Sequence, residues 1–163
     1  MAQKRNVSDE LLIAQGSLPV SSDKLLLILD LMNVEYNLFN HEPLRTVLES
    51  KKIQDEVLKV KNGCCHVKNL FLCGNRKVSI LLVAEQDTKI DLKKLKTKLG
   101  IGRLSFESEE RLIECLGVKP GAVTPLAMIT GVMKGVKILL EKKLRNCSKL
   151  YLHPLVNNQT IEM

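Results

Sequence analysis

Tryptophan is absent from the 163 residues, and phenylalanine and tyrosine number only three and two. That excludes a stacking platform for single-stranded nucleic acid, which needs exposed aromatic rings, and leaves the core to Leu, Ile and Val. Long apolar runs are missing too. The most apolar early stretch, Leu25 to Leu29, is cut by Asp30 and is too short to span a bilayer. The amino terminus, Met1-Ala2-Gln3-Lys4-Arg5, lacks the apolar core of a secretory signal. There is no Walker loop, GxGxxG fingerprint or nucleophile elbow. Paired metal-ligand spacing is also lacking, so no metal is expected. Cys64, Cys65 and His66 are adjacent, but neighbours on a strand point to opposite faces. Cys65 and Cys73 share a parity yet would lie about 26 Å apart on an extended strand. The five cysteines, an odd number without a signal peptide, are expected as reduced, buried structural thiols in a cytoplasmic protein.

What is present is a hydrophobic fraction of 45%, enough for a real core, and a formal charge of +7. The length suits one compact domain. The positive balance favours an acidic partner, RNA first and an anionic membrane surface second. Leu25, Leu26, Leu29 and Met32 recur at helical spacing behind Ser22 as N-cap, and Val34 to Phe39 reads as a short strand. Thr46-Val47-Leu48-Glu49 is a capping box opening a helix that ends near Asn62-Gly63. Strands follow at Cys65 to Leu72 and Lys77 to Ala84, the second apolar enough to be central and covered on both faces. Asp91 opens a helix with Leu92, Leu95 and Leu99 inward and Lys93, Lys94, Lys96 and Lys98 on its other face. Ser108 caps the next helix, which closes at Gly117. The remainder reads as loop and strand, with strands at Val136 to Leu140, at Lys149 to His153 and from Thr160. Irregular alternation of strands and helices implies a mixed sheet with helices packed on it.

Three segments carry polar residues where chemistry can occur. Lys68-Asn69 heads an apolar strand, and a buried ammonium there is costly unless acceptors or an anion meet it. Lys119-Pro120-Gly121-Ala122-Val123-Thr124-Pro125 is a turn-forming loop with small side chains and stiff backbone, into which a ligand can come close. His153-Pro154-Leu155-Val156-Asn157-Asn158-Gln159-Thr160 reads as a strand end and a polar hairpin.

Read together, His41-Glu42-Pro43-Leu44 with Thr46 and Glu49-Ser50, Lys68-Asn69-Leu70-Phe71-Leu72, Leu99-Gly100 with Leu104-Ser105-Phe106, Leu116-Gly117 with Pro120 to Pro125, and His153-Pro154 with Asn157 and Thr160 resemble the prolyl-tRNA editing family. That family comprises the YbaK-type deacylases and the prolyl-tRNA synthetase-associated domains. The motifs run in family order from His41 to the end and are most similar to the freestanding branch acting on alanyl-tRNA(Pro). Leu48 and Leu140-Glu141 depart from the family pattern, which usually has an acidic pair before Ser50, where Leu48 takes the first place, and commonly an aspartate at the end of the strand from Val136.

The resemblance implies a single α/β domain with a mixed, mainly antiparallel sheet, an editing domain over residues 34–163 and a helical lead-in over 1–33. It implies hydrolysis of the aminoacyl ester of mischarged tRNA(Pro), alanyl-tRNA(Pro) first, with no cofactor. The tRNA(Pro) acceptor end is the implied partner, and prolyl-tRNA synthetase a second candidate. Lys68 would anchor the acceptor end, Asn69 orient the ester, the Gly121 N–H meet the oxyanion and His153 position substrate. For Asn69 and Lys68 to act together, a twist or bulge is needed at the strand head. Thr46, Ala122, Thr124, Pro125 and Asn157 would line the substrate site. Lys93, Lys94, Lys96 and Lys98 are candidate contacts to the tRNA backbone. Three alternatives stay open: a non-catalytic tRNA- or synthetase-binding module of the same fold, a deacylase for another misacylated tRNA such as cysteinyl-tRNA(Pro), and a small-molecule-binding domain.

Overall fold

The computed structural model of the chain describes residues 6–16, 19–44, 49, 52–53 and 62–163. Helices α1 (Val7–Gly16) and α2 (Ser22–Leu31) come first. Strand β1 (Asn37–Asn40) follows, then the hairpin of β2 (Cys64–Cys73) and β3 (Ser79–Glu85). Helix α3 (Leu92–Lys98), the two-residue strand β4 (Ser105–Phe106) and helix α4 (Glu109–Leu116) come next. The chain closes with α5 (Met128–Gly131), β5 (Lys137–Leu140), β6 (Lys149–Leu152) and β7 (Gln159–Glu162).

The strands form a seven-stranded sheet in the order β1-β7-β6-β2-β3-β5, with β4 also on β2. Pairing is antiparallel except between β2 and β6 and between β3 and β5. This is the mixed, mainly antiparallel α/β sheet that the sequence led us to expect. The run Ser79 to Ala84 is buried throughout because apolar clusters cover both faces. On one side Phe71, Leu81 and Val83 pack with Leu25, Ile28 and Leu29 of α2 and with Leu112 and Leu116 of α4. On the other, Leu72, Ile80 and Leu82 meet Leu92 and Leu95 of α3. Helix α2, within the expected lead-in, thus contributes to the same core as the sheet.

Several boundaries differ from the sequence reading, each for a local reason. Ser21, not Ser22, caps α2, its hydroxyl accepting from the Lys24 N–H. Asn33 adopts φ 55°, and the Val34 N–H returns to the Leu29 carbonyl, so Val34 closes the helix instead of opening a strand. Arg76 and Lys77 both have positive φ in a tight 3-10 turn, which delays β3 to Ser79. The segment Pro125–Ala127, expected as loop, is helical and runs into α5. Thr124 as cap with proline behind it is a helix start. A further 3-10 turn, Lys142–Asn146, also stands where loop is expected. The capping box at Thr46 to Glu49 falls largely outside the described residues, as does most of the helix expected behind it.

The expectation of reduced thiols is corrected at two positions. Cys65 and Cys147 form a disulfide with Cα atoms 5.8 Å apart. They stand 82 residues apart in sequence, so spacing carries no hint of the pair. The parallel pairing of Cys65 with Leu150 brings β2 beside the segment that precedes β6.

Candidate active site

Strand β2 builds the site. One of its edges is fully taken by β3, from the Val67–Glu85 pair to the Cys73–Ser79 pair without interruption. On its other edge β6 pairs with Cys64 to His66 and β4 with Leu72 and Cys73. Among the described residues no strand pairs with 67–70 on that edge, and Asn69 sits in the gap. Its amide nitrogen donates to the Val123 carbonyl at 2.8 Å, across to the loop from Lys119 to Pro125. That bond fixes the amide orientation, since a carbonyl only accepts. Asn69 Oδ1 is therefore an acceptor, and it is buried with no hydrogen-bond partner.

A small cavity of about 40 Å³ lies here, with His66, Asn69, Tyr151, His153, Thr160 and Leu44 among its walls. The chain has three histidines, and all three gather at this place. His66 and His153 line the cavity, while His41 reaches it through Thr160, with Nε2 2.9 Å from the hydroxyl. His41 Nδ1 lies 2.8 Å from the Glu42 carbonyl, and His153 Nδ1 lies 2.8 Å from the Gln159 carbonyl. Each carbonyl requires a proton on the Nδ1 it faces. In the neutral rings, Nε2 of His41 accepts from the Thr160 hydroxyl and Nε2 of His153 keeps its lone pair. The His41 and His153 rings are 6.3 Å apart.

His66 stacks on Tyr151 with centroids 4.5 Å apart and planes 9° from parallel, a consequence of their direct pairing between β2 and β6. Its Nε2 is buried and unpartnered. Burial, and secondarily the nearby His153, push its pKa down to about 4. Burial also holds His153 below the ordinary imidazole value; the Gln159 carbonyl partly offsets this and His41 adds to it. The cavity thus contains neutral imidazoles at neutral pH.

The other expected site residues are placed as follows. Lys68 follows strand alternation: with no bulge between the Val67–Glu85 and Cys73–Ser79 pairs, it faces away from Asn69. No bulge interrupts this stretch, so a joint role for the two rests on the twist of the strand head. The Lys68 ammonium donates to the Thr88 backbone carbonyl. The Thr88 hydroxyl in turn bonds Glu141 at 3.0 Å and Glu85 at 3.3 Å, and the other Glu141 oxygen accepts the Glu85 N–H at 2.9 Å. Glu141, one of the residues where the chain departs from the family pattern, therefore organises the turn that holds Lys68.

Gly121 has φ +87°, a conformation that disfavours any side chain, and a Cβ there would stand 3.6 Å from the Leu44 carbonyl and Asn157 Nδ2. Asn157 clamps Leu44 from both sides: its amide donates to the Leu44 carbonyl at 3.2 Å and its carbonyl accepts the Leu44 N–H at 3.1 Å. Ala122 is buried in the main core, and Thr124 is wholly buried with its hydroxyl capping Leu126 N–H at 3.4 Å. Pro125 starts the helical turn and faces a different, apolar groove with Val83 and Ile138. Lys93, Lys94 and Lys98 are exposed on α3 and Lys96 is half-buried. Helix α3 covers the sheet face carrying Leu72 and Leu82. Thr46 lies outside the described residues. No group of three or more potential metal ligands occurs among the described residues, and no helix there is long and apolar enough to cross a membrane.

His66 and Tyr151 do not stand out as site residues in the sequence, and His41 and Thr160 enter there only as parts of longer motifs. The available signal is the scarcity of histidine together with the place of His66 two residues before Lys68.

A family model for the aminoacyl-tRNA editing domain matches residues 41–163. The chain belongs to the aminoacyl-tRNA editing domain family. This editing domain is 37% identical over 134 residues to the prolyl-tRNA editing protein ProX of Acetoanaerobium sticklandii, covering 82% of this chain and 79% of that protein. It is 28% identical over 132 residues to prolyl-tRNA synthetase associated domain-containing protein 1 of Danio rerio, covering 80% and 69%. Among solved structures it resembles hypothetical protein APE2540, with TM-score 0.68, 19% identity and coverage of 85% and 87%. It also resembles the structure of a candidate trans-editing enzyme for prolyl tRNA synthetase, with TM-score 0.65, 18% identity and coverage of 90% and 88%. These structural likenesses confirm the YbaK-type fold of the domain.

Proposed function

We propose that the protein is a trans-acting deacylase that cleaves the aminoacyl ester of mischarged tRNA(Pro), with alanyl-tRNA(Pro) as its first substrate. The observation that carries this reading is the 37% identity to a prolyl-tRNA editing protein over most of both chains. The geometry supports it through Asn69 and His153, which line one cavity, and through the Asn69–Val123 bond that ties the Gly121 loop to the same strand.

The need for such an activity is physical. A synthetase pocket shaped for proline gains only about 1–3 kcal/mol from each methylene, too little to reject a smaller amino acid firmly. An ester is already activated, so hydrolysis requires its positioning, a donor for the developing oxyanion and a water. The Gly121 N–H is the proposed oxyanion donor: no carbonyl among the described residues takes it in a backbone hydrogen bond. Asn69 orients the ester, and His153 Nε2 meets the substrate or its ribose hydroxyl. Ala122, Thr124 and Pro125 hold the loop at its depth from within, and Asn157 does so through Leu44. Thr46 is assigned to the substrate side by family resemblance alone. Lys68 gives one N–H to Thr88 and offers the others to the acceptor end. The lysines of α3 meet tRNA phosphates.

Lys68's tie to Thr88 favours a second reading, in which the fold binds charged tRNA or the synthetase without turnover. A deacylation panel separates the two. Alanyl-, cysteinyl- and prolyl-tRNA(Pro) are incubated with the wild type and with Lys68→Ala. Alanyl-ester hydrolysis by the wild type, lost in a folded Lys68→Ala, supports the deacylase with Lys68 as anchor. Wild-type binding with no turnover supports the binding module. Near-wild-type turnover by Lys68→Ala confines that lysine to bracing the Thr88 turn. Faster turnover of the cysteinyl ester reassigns the substrate.

A further inference from the structure

Two buried side-chain polar atoms among the described residues have no hydrogen-bond partner, His66 Nε2 and Asn69 Oδ1. Unpaired buried polar atoms are rare and costly, and each calls for an explanation. Both residues line the same cavity of about 40 Å³. That volume takes one or two waters, and a water is held in a polar site that offers partners. The Asn69 oxygen is an acceptor because its nitrogen is already committed to Val123. His66 Nε2 is an acceptor when the neutral ring carries its proton on Nδ1.

We infer that this cavity seats the hydrolytic water, with His66 Nε2 and Asn69 Oδ1 accepting its hydrogens. The inference rests on the deacylase reading and adds His66 to it as a catalytic residue. Two acceptors take up the hydrogens and leave a lone pair of the water oxygen for the ester carbonyl. The water oxygen bonds the carbonyl carbon as its proton passes to His66 Nε2. The bond from the carbonyl carbon to the ribose oxygen then breaks, and that oxygen takes the proton back. The products are the free amino acid and a tRNA with its terminal hydroxyl restored.

The stacking on Tyr151 fixes the ring plane, so the acceptor does not swing away. The other titratable groups lining the cavity are Tyr151 and His153, with His41 behind Thr160; from the β3 side it receives the uncharged Gln86. The depressed pKa of His66, near 4, keeps the ring neutral across the working range and makes it release a captured proton readily.

The test is single-turnover hydrolysis of alanyl-tRNA(Pro) by wild type, His66→Phe and His66→Gln, with affinity measured separately. His66→Phe keeps an aromatic ring over Tyr151 and removes the nitrogen. We expect a fall in rate of about a hundredfold, the lower end for general acid–base catalysis, with affinity within about threefold of wild type. His66→Gln, which retains a polar acceptor, should recover part of the rate. Should both variants misfold, the wild-type pH profile decides: the rate should hold down to about pH 5 and fall with a midpoint near 4. A His66→Phe rate within threefold of wild type, or a midpoint at the ordinary imidazole value near 6.5, overturns the inference. Absence of turnover by the wild type on any aminoacyl-tRNA(Pro) instead overturns the deacylase reading itself.

Discussion

Asn69 donates its side-chain amide to the Val123 carbonyl at 2.8 Å and so fastens the central strand to the loop that carries Gly121. The bond is local in space but spans 54 residues of sequence. Removing it leaves a half-buried carbonyl without its donor, at about 1–3 kcal/mol. Asn69→Ala is therefore expected to melt about 3–10 °C lower and to lose alanyl-ester hydrolysis by tenfold or more. Differential scanning calorimetry and a deacylation assay check the two effects. Unchanged melting would show that the loop is held by other contacts.

The Thr160 hydroxyl and His41 Nε2 form a second link, 2.9 Å long, between β7 and the segment after β1. Thr160→Val keeps the shape and deletes the donor. A loss of about 1 kcal/mol is expected, read as a lower urea midpoint with unchanged slope. No shift in midpoint would mean that water replaces the hydroxyl at no cost.

Acid should destabilise the protein through its imidazoles. The folded pKa of His66 is near 4, below its unfolded value near 6.5, so the unfolded chain binds more protons between those pH values. The stabilisation is complete above about pH 6.5 and is lost as pH falls towards 4. His153 is shifted in the same direction and adds to it. For His66 alone the loss is on the order of 2–3 kcal/mol. Thermal melts from pH 7.5 to 4 check it, and His66→Phe should flatten the dependence.

The Cys65–Cys147 disulfide closes a loop of 82 residues. Constraint of the unfolded chain over such a loop is worth about 4.5 kcal/mol on the chain-entropy model. Reduction should lower the melting temperature, and thiol titration of the unfolded, unreduced protein should find the three free cysteines, Cys64, Cys73 and Cys115. Titration of all five without reductant would rule the bond out.

Much of this architecture is legible in the residues. The apolar run Ser79 to Ala84 announces a strand covered on both faces, and Asp91, Ser108 and Gly117 mark helix ends where the structure has them. What escapes such a reading is what depends on distant pairing. Cys65 meets Cys147, and His66 meets Tyr151, only because β2 and β6 run parallel side by side. The side to which Lys68 turns is also beyond sequence, since it depends on whether β2 carries a bulge, and that is set by its register with β3. By contrast, the helical turn after Thr124 is readable in the threonine–proline pair.

The exposed lysines of α3 offer an independent test of the nucleic-acid partner. Changing Lys93, Lys94 and Lys98 to glutamine should weaken tRNA binding and flatten its salt dependence. The slope should fall by up to about 0.7–0.9 for each phosphate no longer neutralised. An unchanged slope would leave α3 as a solvated face.

Above all, the cavity bounded by Asn69, His66 and His153 beside the Gly121 loop is proposed to hydrolyse the ester of a wrongly charged tRNA(Pro). This is tested by the single-turnover rate of the wild-type protein on alanyl-tRNA(Pro) against prolyl-tRNA(Pro), each beside its spontaneous hydrolysis. Rapid release of alanine is expected, with a prolyl ester that decays at the spontaneous rate. Equal release of both amino acids, or of neither, would refute the proposal.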